Sequence, residues 1–333
     1  MRRIQVVATG GTIASRSGAE GRRATVLAKE LVASVGPLPE GATVGARDVV
    51  TRGSYAFGTA DLLALAREVR AALRDGADAV VMTHGTDTME ETAFLLDLLF
   101  DDPRPIVLTG AQRPFDDRAA DGPANLGDAL AVAGDDAARG LGALLVFDGF
   151  AFAARGVRKS DTMSARAFSA PGRGPVLRVA DGQVVPLARP VPGPRVPVDL
   201  DLPRLPRVDV VPVYPGADGL FVRASLEAGA AGVVVAAAGA GNAGPELVEA
   251  VAEAVAAGHP VLISTRVHSG PVAPLYAGGG AELRRVGALF ADDLNPWQAR
   301  LLLAAAAAVP GRPPQDVVRA WLAGRDLLPV PGT

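Results

Sequence analysis

Threonine hydroxyls stand beside glycines in two places, Thr9-Gly10-Gly11-Thr12 and Thr83-His84-Gly85-Thr86-Asp87-Thr88. A threonine hydroxyl becomes a useful nucleophile when a neighbour takes its proton. Glycine permits positive φ and close backbone approach, which can aim amide N–H groups at a developing oxyanion. Thr12 therefore reads as a nucleophile, or else as part of a phosphate-binding or purely structural turn. Asp87 precedes a helical pattern, so its carboxylate can cap that helix. It can equally fix a substrate ammonium or orient a lysine. Ser54, in Arg-Gly-Ser-Tyr, can bind a carboxylate or simply serve a turn. His84 reads as a hydrogen-bonded structural histidine.

Lysine usage adds to this. Of the 33 Lys plus Arg residues, only Lys29 and Lys159 are lysine. Arginine holds its proton at accessible pH, whereas a partly buried lysine amine can give it up. Lys29 lies on an expected helix over Leu27–Val35. Lys159 lies in the polar run Gly-Val-Arg-Lys-Ser-Asp-Thr and is the better candidate for proton chemistry, with a surface lysine as the alternative.

Composition narrows the field. The 333 residues suggest two domains, and 49% hydrophobic with 21% charged residues fits a globular chain. A net charge of −3 argues against nucleic acid or an anionic membrane as partner. The absence of cysteine removes disulfides and thiolate chemistry. The three histidines are too scattered to suggest a zinc site, and neither H-E-x-x-H nor G-x-S-x-G occurs. The N-terminus shows no signal-peptide pattern, and the alanine-rich run near residue 303 is too short to span a membrane. A cytoplasmic location is expected.

The elements that must position these residues follow from apolar spacing. Ile4–Ala8 and Ala79–Met82 read as buried strands, so each threonine turn falls at a strand end. Open parallel sheets bind their ligands at such ends. Further strands are expected at Val44–Val50, Pro105–Thr109 and Ala143–Phe147, with helices through Leu62–Leu73, from Thr88 onward, and over Ala124–Ala138. Ser15–Arg23 reads as a polar loop and candidate mobile lid. Asp181-Gly182 marks a hairpin between Val176–Ala180 and Val184–Leu187. The proline-rich segment 188–206 reads as a stiff linker. Strands at Val208–Val213, Gly232–Ala236 and Pro260–Ser264 alternate with helices beyond it. The expected organisation is a larger mostly parallel α/β domain over 1–187, a linker over 188–206, and a smaller parallel α/β domain over 207–333.

Gly239-Ala240-Gly241-Asn242-Ala243-Gly244 matches G-x-G-x-x-G between a strand and a helix. No acid ends the next strand, where the dinucleotide pattern expects one. Arg266 at that end keeps an NADP reading open.

Together these residues resemble the bacterial-type L-asparaginase family of threonine amidohydrolases, over nearly the whole chain. Thr-Gly-Gly-Thr-Ile-Ala (9–14) and His-Gly-Thr-Asp-Thr-Met-Glu-Glu-Thr (84–92) resemble its two signatures. Gly-Ala-Gln-Arg-Pro (110–114), Ala-Asp-Gly-Pro-Ala-Asn-Leu (120–126) and Asp-Leu-Asn-Pro-Trp-Gln-Ala-Arg (293–300) resemble further landmarks. The resemblance implies Thr12 as nucleophile and Thr86, Asp87 and Lys159 as a second triad. It implies Ser54, Tyr55, Thr86, Asp87, Ala111, Asn242 and Tyr276 as substrate contacts, Asn242 and Tyr276 coming from a neighbouring subunit. It also implies a left-handed crossover in the first domain, no metal or organic cofactor, and a homotetramer or homodimer. The family's lid tyrosine is missing: Ala24 stands nearest its position, and Tyr55 stands where glutamine is frequent. The expected activity is hydrolysis of L-asparagine to L-aspartate and ammonia. A broader glutaminase-asparaginase, an amidotransferase subunit, an NADP-binding oxidoreductase and a catalytically weakened amino-acid-binding protein are the alternatives.

Overall fold

The computed structural model describes residues 1–325 and 327. They form two compact units, the first over Met1–Pro192 and the second from Gly193 onward. Among the described residues no helix is long and apolar enough to cross a membrane.

The first unit opens with β1 (Arg2–Ala8), β2 (Ser15–Gly18), β3 (Gly21–Ala24), helix α1 (Ala28–Ala33) and β4 (Ala42–Asp48). Helix α2 (Thr59–Arg74), β5 (Ala79–Thr83), α3 (Met89–Leu99), β6 (Ile106–Thr109), α4 (Gly122–Gly134) and β7 (Ala143–Phe147) follow in α/β alternation. Five short strands complete it: β8 (Phe150–Ala153), β9 (Arg158–Lys159), β10 (Phe168–Ser169), β11 (Leu177–Ala180) and β12 (Gln183–Pro186). Eight strands form one sheet in the order β12-β11-β8-β7-β6-β5-β1-β4. From β4 to β7 every pairing is parallel. From β7 to β12 every pairing is antiparallel.

Burial explains this division. All five residues of β5 and of β7 are buried, as central strands covered on both faces require. Helix α2 places Leu62, Leu63, Leu65, Ala66, Val69 and Leu73 on its buried face. The Gly58 amide donates to Asp61 Oδ2 at 2.8 Å and closes its first turn. A contiguous core joins Ile4, Val6, Val81, Val107 and Leu144 of the sheet to Leu126, Leu130 and Ala133 of α4.

Ser15–Arg23, expected as an irregular loop, is instead the antiparallel β2–β3 hairpin. Backbone bonding and the hairpin's neighbours order it. The Ser17 amide donates to Asp116 Oδ2 at 2.9 Å, the Phe115 amide to the Ser15 carbonyl at 2.8 Å, and Arg16 pairs with Glu30.

The second unit contains β13 (Val208–Pro212), α5 (Leu220–Glu227), β14 (Gly232–Ala237), α6 (Pro245–Ala256), β15 (Val261–Thr265), α7 (Gly280–Arg285), β16 (Leu289–Phe290), α8 (Pro296–Ala307) and α9 (Pro314–Leu322). Its sheet is wholly parallel, in the order β13-β14-β15-β16. Residues 187–207 carry no helix or strand, and Val196, Leu200 and Leu205 within them are buried.

Candidate active site

Thr12 sits at the carboxyl end of β1 in a single 3-10 turn, Thr12–Ala14. Gly10 and Gly11 enter it with φ of 89° and 79°, a region that favours glycine. Space is as restrictive as conformation. A Cβ on Gly11 would lie 2.5 Å from Cα and N of Gly85, and one on Gly10 would lie 2.5 Å from the Arg52 amide nitrogen. The two threonine turns thus touch backbone to backbone. The Ser15 hydroxyl donates to the Gly11 carbonyl at 2.8 Å and holds the turn. Thr12 itself is half-buried, and neither its hydroxyl nor its amide makes a hydrogen bond to any described residue.

The second turn follows β5, which lies beside β1 in the sheet. Thr86 is 4% exposed. Lys159 reaches it from β9, its Nζ donating to Thr86 Oγ1 at 2.9 Å and to Asp87 Oδ1 at 2.8 Å. Of this ion pair the lysine side chain is 17% exposed and the aspartate 54%, so the carboxylate keeps an open side. Asp87 therefore holds the lysine and does not cap α3, whose N-cap is Thr88. The Thr88 amide is satisfied by Ser54 Oγ at 3.3 Å. A lysine amine between a hydroxyl and a carboxylate is the arrangement a proton relay requires.

His84 is fully buried, and its Nδ1 donates to the Gly85 carbonyl at 2.7 Å. Its Nε2 accepts from Thr92 Oγ1 at 3.0 Å, and Phe57 packs edge-on at 5.3 Å. Desolvation pushes the imidazole down to about 4, against the upward pull of the Gly85 hydrogen bond. It is neutral at physiological pH and shapes the turn.

Ser54 is 1% exposed and begins a 3-10 turn, with its oxygens committed to Thr88. A Cβ on Gly85 would meet Ser54 Oγ at 2.7 Å, so Ser54 belongs to the same close-packed cluster. Tyr55 stays outside it: the residue is 78% exposed and its ring lies over Gly53. Ala111 is fully buried after β6, and its Cβ faces Gly122 at the start of α4.

Two positioning groups escape the sequence reading. Glu90 is buried in the first turn of α3 and accepts the Lys159 backbone amide. It shares a helical face with the buried Ala93, Phe94 and Asp97, and a carboxylate at that spacing is the signal that could have found it. Gln112 accepts from Thr86 Oγ1 at 3.3 Å. Its own amide and that of Arg113 donate to the two Asp121 carboxylate oxygens, each at 2.9 Å.

Asn242 and Tyr276 lie in the second unit. Asn242 Oδ1 accepts from the Gly280 amide at 3.0 Å, and Tyr276 is 63% exposed. The Gly239–Gly244 turn has the strand-to-helix setting that the dinucleotide pattern requires, but its central glycine is packed against the protein's own side chains. Thr265 Oγ1 donates to the Gly239 carbonyl at 2.6 Å, and a Cβ on Gly241 would meet Phe290 Cε1 at 3.0 Å. Here the glycine serves close packing around Phe290, Ile263 and Val272. Among the described residues no group of three or more His, Cys, Asp or Glu is placed to hold a metal.

The family described as Asparaginase, N-terminal, matches residues 3–192, and the Glutaminase/Asparaginase C-terminal domain matches residues 207–320. The chain is 42% identical to a probable L-asparaginase of Deinococcus radiodurans, covering 90% of this chain and 91% of that one. It is 33% identical to a glutaminase-asparaginase of Pseudomonas aeruginosa, covering 91% and 85%. Among solved structures, a probable cytoplasmic L-asparaginase from Campylobacter jejuni superposes with a TM-score of 0.87 at 31% identity, covering 97% of this chain and 99% of that one.

Proposed function

The chain belongs to the asparaginase family, and on that premise we propose that it hydrolyses the side-chain amide of L-asparagine to L-aspartate and ammonia. The observation that carries this reading is the Lys159 amine held between the Thr86 hydroxyl and the Asp87 carboxylate, one strand away from an unengaged Thr12. Asp87 has an open carboxylate face for the substrate α-ammonium. Ser54, beside it, is the contact for the α-carboxylate. The Thr12 oxygen loses its proton and attacks the amide carbon. Amide N–H donors in the glycine turns stabilise the oxyanion. Collapse breaks the C–N bond, ammonia leaves with the proton, and water releases aspartate.

A second copy of the chain supplying Asn242 and Tyr276 is the assembly this reading expects, as a homodimer or homotetramer. A cytoplasmic location is supported by the name of the Campylobacter structural relative.

Glutaminase-asparaginase activity is the second reading, supported by the name of the Pseudomonas relative. One methylene in a pocket is worth only about 1–3 kcal/mol of discrimination. Ammonia release measured on asparagine and glutamine side by side decides between them. Release at least about tenfold faster from asparagine, at equal concentration, fits the first reading. Comparable rates fit the second, and release from neither removes both.

A further inference from the structure

Three polar side-chain contacts fix the orientation of Gln112, one of them to the threonine–lysine–aspartate network. Its Nε2 faces the carbonyl oxygens of Thr162 at 3.3 Å and Ser164 at 3.2 Å. Both of those oxygens only accept, so the NH2 end must point at them and the Oε1 end must point at Thr86. Oε1 also only accepts, so the single Thr86 hydroxyl proton is given to Gln112 across 3.3 Å. The Thr86 lone pairs then face Lys159, whose Nζ donates at 2.9 Å.

The partner carbonyls belong to an exposed turn, residues 161–166, between β9 and β10. Asp161 Oδ1 shapes that turn by accepting the amides of Met163 at 2.8 Å and Ser164 at 2.7 Å. At its other end, the Gln112 backbone is fixed by Asp121.

We propose that Gln112 is a positioning residue: it holds the Thr86 proton turned away from Lys159 and the Thr86 lone pairs turned towards it, and it ties the exposed 161–166 turn to that orientation. The proposal rests on the amidohydrolase reading for its kinetic consequence but not for its geometry. A hydroxyl released from Gln112 can rotate, and loss of orientation at a reacting group costs rate while leaving ground-state binding at Asp87 and Ser54 in place.

The test uses Gln112→Met, which keeps side-chain length but loses both amide ends, and Asp161→Ala, which loosens the turn without touching Gln112. Gln112→Met should lower kcat by about 10- to 100-fold with KM within about threefold. Asp161→Ala should give a smaller loss in the same parameter. A second readout is independent of turnover. The chain has two lysines, so 15N-lysine labelling yields two ζ signals, and exposed Lys29 is assigned by Lys29→Arg. The Lys159 ζ signal should move in Gln112→Met while that of Lys29 stays in place. An unmoved Lys159 signal with kcat within twofold would overturn the proposal, as would a change confined to KM. If the wild-type chain releases no ammonia, the functional reading fails on its own, and the ζ signal still tests Gln112.

Discussion

Thr12 and Thr86 share a residue type, a glycine neighbour and a place at the end of adjacent parallel strands. They differ in what their hydroxyls already touch. Thr86 is 4% exposed and bonded to Lys159 and Gln112, so its proton traffic runs inside the chain. Thr12 is half-buried, and its hydroxyl is bonded to no described residue. A hydroxyl already engaged on two sides is held in one orientation, and an unengaged one is suited to meeting a substrate. Position along the sheet does not distinguish the two threonines; the surrounding hydrogen bonds do.

The sharpest way to break this comparison is to remove the unengaged hydroxyl. Thr12→Ala should lower kcat by about 10³-fold, with thermal unfolding nearly unchanged because no hydrogen bond is lost. Steady-state kinetics and a melting curve on the same sample check both halves. An active Thr12→Ala protein would transfer the nucleophile's role to Thr86.

Lys159→Arg tests the engaged threonine next. Arginine keeps the positive charge beside Asp87 but does not give up its proton. A loss of about 10²- to 10³-fold in kcat is expected, with Lys29→Arg silent. Most of the activity surviving in Lys159→Arg would mean that only charge matters at that position.

His84 makes the comparison sensitive to acid. Its imidazole is held at about 4 in the folded chain, below the ordinary 6.5, so the unfolded chain binds the extra proton first. Its contribution to stability is complete above pH 6.5 and is lost as pH falls towards 4, on the order of 3 kcal/mol in total. Denaturant unfolding of wild type and His84→Gln at pH 7.5 and pH 4.5 checks this. The variant should start less stable and lose less on acidification; parallel losses would place the acid sensitivity elsewhere.

The smallest effect concerns what activates Thr12 without a lid tyrosine. Tyr276→Phe should lower kcat by about tenfold and Tyr55→Phe by less, in proteins of unchanged oligomeric state by light scattering. Equal, near-wild-type values would leave Tyr276 as a packing residue and the relay to water.

Strands buried on both faces were readable because continuous apolar runs such as Ala79–Thr83 admit few other fates. The β2–β3 hairpin was not, since Ser15–Gly18 and Gly21–Ala24 carry no alternation of apolar and polar residues. Asp116 and Phe115, about a hundred positions away, supply its order, and periodicity cannot see that far. In the site, the adjacency of Thr86 and Asp87 and the rarity of lysine were plain in the chain. That Lys159 meets Asp87 across 72 positions came only through family resemblance. Gln112 is not legible in the chain, because glutamine carries no titratable group and its contacts depend on the two carbonyls it faces. At Gly239–Gly244 the pattern and its local setting both match, yet the central glycine, Gly241, serves packing around Phe290.

The contact of Gly11 with Gly85, and of Gly85 with Ser54, has a consequence for tolerance to random change. In a library of single substitutions scored for both soluble yield and turnover, Gly11 and Gly85 should be depleted from the soluble pool, because any side chain there drives into backbone within 3.0 Å. Thr12, one position from Gly11, should pass the yield screen with most replacements and fail only the turnover screen. The line between positions lost for abundance and positions lost for chemistry then runs through a single peptide bond, between Gly11 and Thr12.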